Sequence, residues 1–399
     1  MIDKHVYNAL KPSAASYLLT LVVLIVLVVA GAWCAWLMEH NGHQITGMNN
    51  HVIWGMPHVF AIFLIVSASG ALNVASLSTV FGQSLYKPYA RLSVALSIAL
   101  LVGGLMILVF DLGRPDRLIV AITTWNFRSV FAWNILFYTG FIVLGVAYLS
   151  CLIERRYQAY SRSVGWIAMF WRLALTTATG SIFGFLVGRD ALDSALLAPM
   201  FIAMSLAFGT AIFVLSGAAV CRWSNVDWSE TLRQSVATYL LWFVLAMGYF
   251  TIVHHLTNLY VREHRATELA FFTGSLSLIF WIGHVMIGVV VPVWLTASFR
   301  RAPTMSRLIA AASVVILGGL CHVYTIVIGS QFRPQRLFPD KLITDSHFGD
   351  AGFPAYVPSW FEFGLGFAGI ACAALLLLMA MRVFPFVPAQ SDPSVDGAR

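Results

Sequence analysis

The chain has 399 residues, 59% hydrophobic and 10% charged, against roughly 25% charged in an average soluble domain. That balance excludes a water-soluble enzyme: apolar stretches of about 20 residues or more fill the chain, each long enough as a helix to cross a hydrocarbon layer roughly 30 Å thick. The net charge of +7 comes from Lys and Arg scattered between these stretches rather than gathered on one face, which argues against a nucleic-acid partner and reads as a topology signal.

In chain order the expected spans are 14–38, 53–82, 88–111, 129–152, 164–188, 195–221, 233–258, 269–298, 305–331 and 358–383. The first is longer than the apolar core of a cleaved signal, at most about 15 residues, and is read as a retained helix. With ten spans both ends share one side. Placing that side in the cytoplasm gives the inner segments 14 Lys and Arg against nine in the outer loops, with Arg172 left inside a span. Loops 39–52, 112–128 and 332–357 then face outward. The expectation is an all-α, multi-pass protein of the bacterial inner membrane with both termini cytoplasmic. Residues 1–386 form one transmembrane domain and 387–399 a short disordered tail.

An ionisable group inside a span costs about 2.5–3.5 kcal/mol, so each needs a reason. His58 falls near the outer end of the second span and Asp111 closes the third. His254 and His255 lie near the outer end of the seventh, His322 in the outer half of the ninth, and Glu362 opens the tenth. Groups from five helices at one depth suit a site that binds a quinone and exchanges its protons. There a His or Asp meets the ring oxygens, and a carboxylate or His passes protons to water. Each also has a plainer reading. A single His can be interfacial, Glu362 can cap its helix, and Asp111 can pair with Arg114 to close a turn. Deeper in the membrane, Arg172, His284 and Asn73 trace either a proton path or hydrogen bonds that fix helix packing. The five cysteines, Cys34, Cys151, Cys221, Cys321 and Cys372, form no CxxC or CxxCH, so neither an iron–sulfur cluster nor c-type haem is expected, and no metal site. A b-type haem is disfavoured because two regularly spaced His pairs on two helices are missing.

The segment Asp111-Leu-Gly-Arg-Pro-Asp-Arg117, followed by Trp125-Asn-Phe-Arg-Ser129, resembles the signature region of the NrfD/PsrC family of quinone-interacting respiratory membrane subunits. The ten-span layout and Tyr356-Val-Pro-Ser-Trp-Phe-Glu362 resemble its long branch, which includes DsrP and the HybB-type hydrogenase subunit. The resemblance implies two four-helix bundles, spans 2–5 and 6–9, flanked by spans 1 and 10. It implies a subunit without a redox cofactor of its own, whose substrate is a quinone or quinol. Its partners are a periplasmic-side ferredoxin-like iron–sulfur subunit and further redox subunits, with sulfur metabolism favoured over a hydrogenase role. Asp111, His58 and Arg114 would surround the quinone, Arg114 steadying negative charge on the reduced ring. From other classes, a secondary transporter would place its charged groups at the midplane, whereas most here lie toward one face. A purely structural anchor would leave the polar cluster unexplained.

Overall fold

A computed structural model describes residues 7–10, 15–224, 226–299, 303–333 and 356–388. Most of the expected outer loop 332–357, the Arg300-Arg301 pair and the tail beyond Pro388 lie outside them. The described chain is helical apart from one antiparallel pair, β1 (Tyr7–Asn8) with β2 (Val387–Pro388). The helices are α1 (Ala15–Asn41), α2 (Met56–Ala71), α3 (Asn73–Thr79), α4 (Ala90–Phe110), α5 (Leu118–Thr123), α6 (Val130–Ile153), α7 (Ser161–Gly184), α8 (Leu197–Ser224), α9 (Glu230–Tyr260) and α10 (Arg265–Thr273). They continue with a π-helix (Ile279–Val290), α11 (Val291–Ala297), α12 (Met305–Val327) and α13 (Trp360–Val383). Serine side chains cap three of them: Ser129 on α6, Ser229 on α9 and Ser359 on α13.

Among the described residues, nine helical segments are long and apolar enough to cross a membrane, α2 running on into α3 and the π-helix into α11. The fifth expected span, 164–188, falls on α7, a helix that is not among those nine. It has the length, 24 residues, but Arg162, Arg172 and a run of threonines make it less apolar than the rest. The span expected over 269–298 is divided: Gly274 ends α10, and the crossing segment is Ile279–Ala297.

Helix α2 is buried along its length and packs against α4, α7, α8, α12 and α13. Neighbours close in two circuits: α2 with α4, α4 with α6, α6 with α7 and α7 with α2; then α8 with α9, α9 with α11, α11 and the π-helix with α12, and α12 with α8. Helix α13 lies against α1, α2 and α4. α1 shows Leu18, Val22, Val26 and Val29 to the outside, as a helix apolar all round does when lipid is its solvent.

Apolar side chains give little drive for helices to associate in lipid, so close backbone approach does much of that work. A Cβ on Gly209 of α8 would lie 2.2 Å from the backbone of Gly70 and Ala71 on α2. One on Gly318 of α12 would lie 2.0 Å from Gly288 Cα on the π-helix. These two contacts set how the circuits meet and how the second one closes.

Candidate functional site

Helix α4 stops at Asp111 because Gly113 takes a left-handed φ of 68° and Pro115 cannot continue the ladder. The stop turns the Asp111 side chain back under the loop 42–55, fully shielded from solvent. Asp111 Oδ2 lies 2.6 Å from Nδ1 of His58, in the first turn of α2, and Oδ1 lies 3.7 Å from Nε2 of His43 in the preceding loop. Both imidazoles keep partial exposure, 22% for His58 and 28% for His43, so the triad is a buried carboxylate with two half-open basic arms. Burial pushes the Asp111 carboxyl up, but its close pairing with His43 and His58 outweighs this and holds it below the ordinary carboxylate range. Asp111 in turn holds the His43 imidazole above its usual value. Trp54 lies against His58 at 6.1 Å between ring centres, and Phe183 meets Trp54 edge-on at 5.6 Å.

The loop between His43 and His58 is tied from three sides. Glu362 Oε1 accepts from Gly47 N at 2.7 Å and Ser359 N at 2.9 Å, while Oε2 accepts from Met56 N at 3.1 Å and from the Tyr356 hydroxyl. Glu362 completes a capping box with Ser359 and is fully buried. Burial and Glu362 together keep the Tyr356 phenol protonated far above its usual range. Gln331, at the end of α12, accepts from Ile53 N and Trp54 N and donates to Trp54 O. Arg189 donates to His51 O. Such support holds the side chains of this loop in fixed positions.

The expected residues thus separate into five places. Asp111 and His58 come together, joined by His43. Arg114 does not join them: its guanidinium forks onto Asp116 at 3.1 Å on the exposed side of the turn. Glu362 grips the far end of the same loop rather than facing Asp111. His254, His255, His284 and His322 form a separate group with Glu268, Asn258 and His264 on α9, α10, the π-helix and α12. Arg172 and Asn73 sit deeper, between α7 and α2–α3. Arg172 Nη1 donates to Ser69 O at 3.1 Å, and Thr176 Oγ1 donates to Ser69 Oγ at 2.6 Å.

Sequence reasoning missed His43, Trp54, Gln331 and Glu268. His43 lies in a polar loop with His40 and His51 nearby, and nothing local separates it from them. Glu268 is hidden by hydropathy, which merges α10 with the crossing segment that follows it.

Residues 44–335 match the family described as polysulphide reductase, NrfD. The chain is 24% identical over 383 residues to the Hdr-like menaquinol oxidoreductase integral membrane subunit of Archaeoglobus fulgidus, covering 94% of this chain and 95% of the relative. It is 27% identical to a putative dimethyl sulfoxide reductase membrane subunit of Halobacterium salinarum, covering 94% and 92%. It is 20% identical to the menaquinone reductase integral membrane subunit of Nitratidesulfovibrio vulgaris, covering 91% and 90%. With its signature turn at Asp111 and a match over most of its length, the chain belongs to the NrfD polysulphide reductase family of multi-pass membrane proteins.

Proposed function

We propose that this chain is the quinone-exchanging membrane subunit of a respiratory complex, with menaquinone or its quinol as substrate at the Asp111 end of α2 and α4. The observation that carries the reading is the Asp111–His58–His43 triad, a buried carboxylate aligned between two imidazoles beside an aromatic wall. The names of the Archaeoglobus and Nitratidesulfovibrio relatives support the substrate class.

In this reading His58 and His43 meet the ring oxygens. Asp111 sets their orientation and carries the charge that makes them proton acceptors for a quinol hydroxyl. The electrons leave to an iron–sulfur partner docked on the outer face over loop 112–128, whose exposed Arg114, Arg117 and Arg128 suit an acidic surface. Glu362 acts by positioning the loop, and Arg172 with Ser69, Thr176 and Asn73 supplies a polar thread inward from the site. The Asp111 end faces the periplasm and both termini the cytoplasm, in the inner membrane; a role in sulfur metabolism follows the DsrP-like layout.

The test is fluorescence quenching of a quinol-site inhibitor titrated into the purified chain and into Asp111→Asn. Saturable quenching that weakens about tenfold to hundredfold in the variant is expected, the loss for one charged hydrogen-bonded group. Equal quenching in both removes Asp111 from the site. No quenching by either folded protein leaves a structural anchor as the better account.

A further inference from the structure

The histidines of the second circuit have no part in the site at Asp111. One turn from the Gly288–Gly318 backbone contact, His284 of the π-helix and His322 of α12 stack face to face, 3.7 Å between ring centres and 15° from parallel, both buried. Glycine at both positions is what lets the rings meet. A stretch of π-helix that carries a polar group often marks a functional position. Both nitrogens of His284 and Nδ1 of His322 find no hydrogen-bond partner among the described residues. Each such group costs about 1–3 kcal/mol unless something satisfies it.

Beside them is a cavity of about 20 Å³ whose polar lining is His254, His255, Glu268, His322, Thr325 and Ser330. One water needs roughly 10–15 Å³ and two to four polar partners, and the cavity offers both. Glu268 bonds His255 on one side and Asn258 on the other; Asn258 Oδ1 reaches His264, next to the exposed Arg265. Among the described residues no hydrogen bond continues the thread beyond His284.

We propose that these residues form a second proton-handling site, separate from Asp111, in which a single water in the cavity joins Glu268 and His255 to the His322–His284 stack. A proton enters at His255, whose side chain keeps 15% exposure, and the water passes one proton to the His322 imidazole as it accepts one from the Glu268–His255 pair. No electrons move and no heavy-atom bond changes. The stack takes one proton at most, because two imidazolium charges at this separation repel strongly. The site is a blind branch into the membrane rather than a through path, and it stands independently of the quinone reading.

The experiment uses the full chain, labelled with ¹⁵N-histidine, in lipid nanodiscs. After transfer to D₂O, ring N–H exchange of His284 and His322 is followed by NMR, assigned with His284→Gln and His322→Gln. Exchange within hours is expected, and at least tenfold slower exchange in Glu268→Gln and in Ala191→Val, which fills the cavity without removing a charge. Should an assignment variant fail to fold, the two ring signals that slow together in Ala191→Val identify the stack. Ring protons that never exchange, or that exchange equally fast in both slowing variants, overturn the proposal and leave a dry packing pair.

Discussion

Asp111 and Glu362 are both carboxylates shut away from water at the same end of α2, yet their surroundings assign them different work. Four donors, three of them backbone N–H groups, saturate Glu362, so Glu362→Gln removes a charge that fixed structure depends on. Thermal unfolding should show a loss of about 2–4 kcal/mol for that variant, a charged bond being worth about 1.5–3 kcal/mol. Asp111→Asn should stay within about 1 kcal/mol of the parent, since its contacts are two side chains that water can also serve. Comparable losses for the two would make Asp111 a structural residue. The coupling of Asp111 with His43 also fixes a pH window. The raised His43 value gives stability that is complete below about 6.5 and lost as pH rises through the folded value. The lowered Asp111 value gives stability that is present above about 3.8 and lost as pH falls through its folded value. Melting temperature should therefore decline from pH 6 toward 8.5 and decline less in His43→Gln; parallel slopes would remove His43 from the triad. Asp111 and His58 were legible in the sequence because depth along a span can be counted. His43 was not, because its partner lies 68 positions away across a turn that only the folded chain closes.

At the scale of the element, hydropathy placed most span ends within four residues, since the length of an apolar run is what a membrane helix must match. It missed the break at Leu72, the detachment of α10 and the π-helix, because these depend on backbone hydrogen bonding within uniformly apolar sequence. The glycine contacts are the elements' points of least tolerance. Gly209→Ala should cost about 1–3 kcal/mol by forcing α8 from α2. Gly318→Ala should cost as much and should unstack His284 from His322, whereas Gly82→Ala, with open space around it, tests only the strain of its φ of 70°. Unfolding in detergent, compared across the three variants, checks the ranking. A Gly318→Ala protein as stable as the parent would show that α12 and the π-helix can slide apart freely.

For the whole molecule, the positive-inside bias and the position of Asp111 together make a single topology prediction. Thr124, in the loop beyond the Asp111 turn, and Gln158, across the length of α6, lie at opposite ends and are both exposed. In intact cells a membrane-impermeant maleimide should label Thr124→Cys and spare Gln158→Cys; the reverse pattern would invert the orientation and put the partner surface on the cytoplasmic side. Hydropathy supplied the list of helices, but not which of them touch. That α13 belongs with α1, α2 and α4 follows from Glu362, Gly364, Ala368 and Gly369 meeting residues some 260 to 340 positions earlier, a pairing that no local pattern encodes.

The grip of Glu362 on Gly47 and Met56 also has a consequence in time. A ribosome delivers His43, His58 and Asp111 to the membrane long before it reaches residue 362, so throughout most of synthesis the loop between the two imidazoles lacks the carboxylate that fastens it. The loop gains its full set of fastenings only when α13 arrives. A nascent or truncated chain therefore carries His43, His58 and Asp111 with the loop between them only partly fastened.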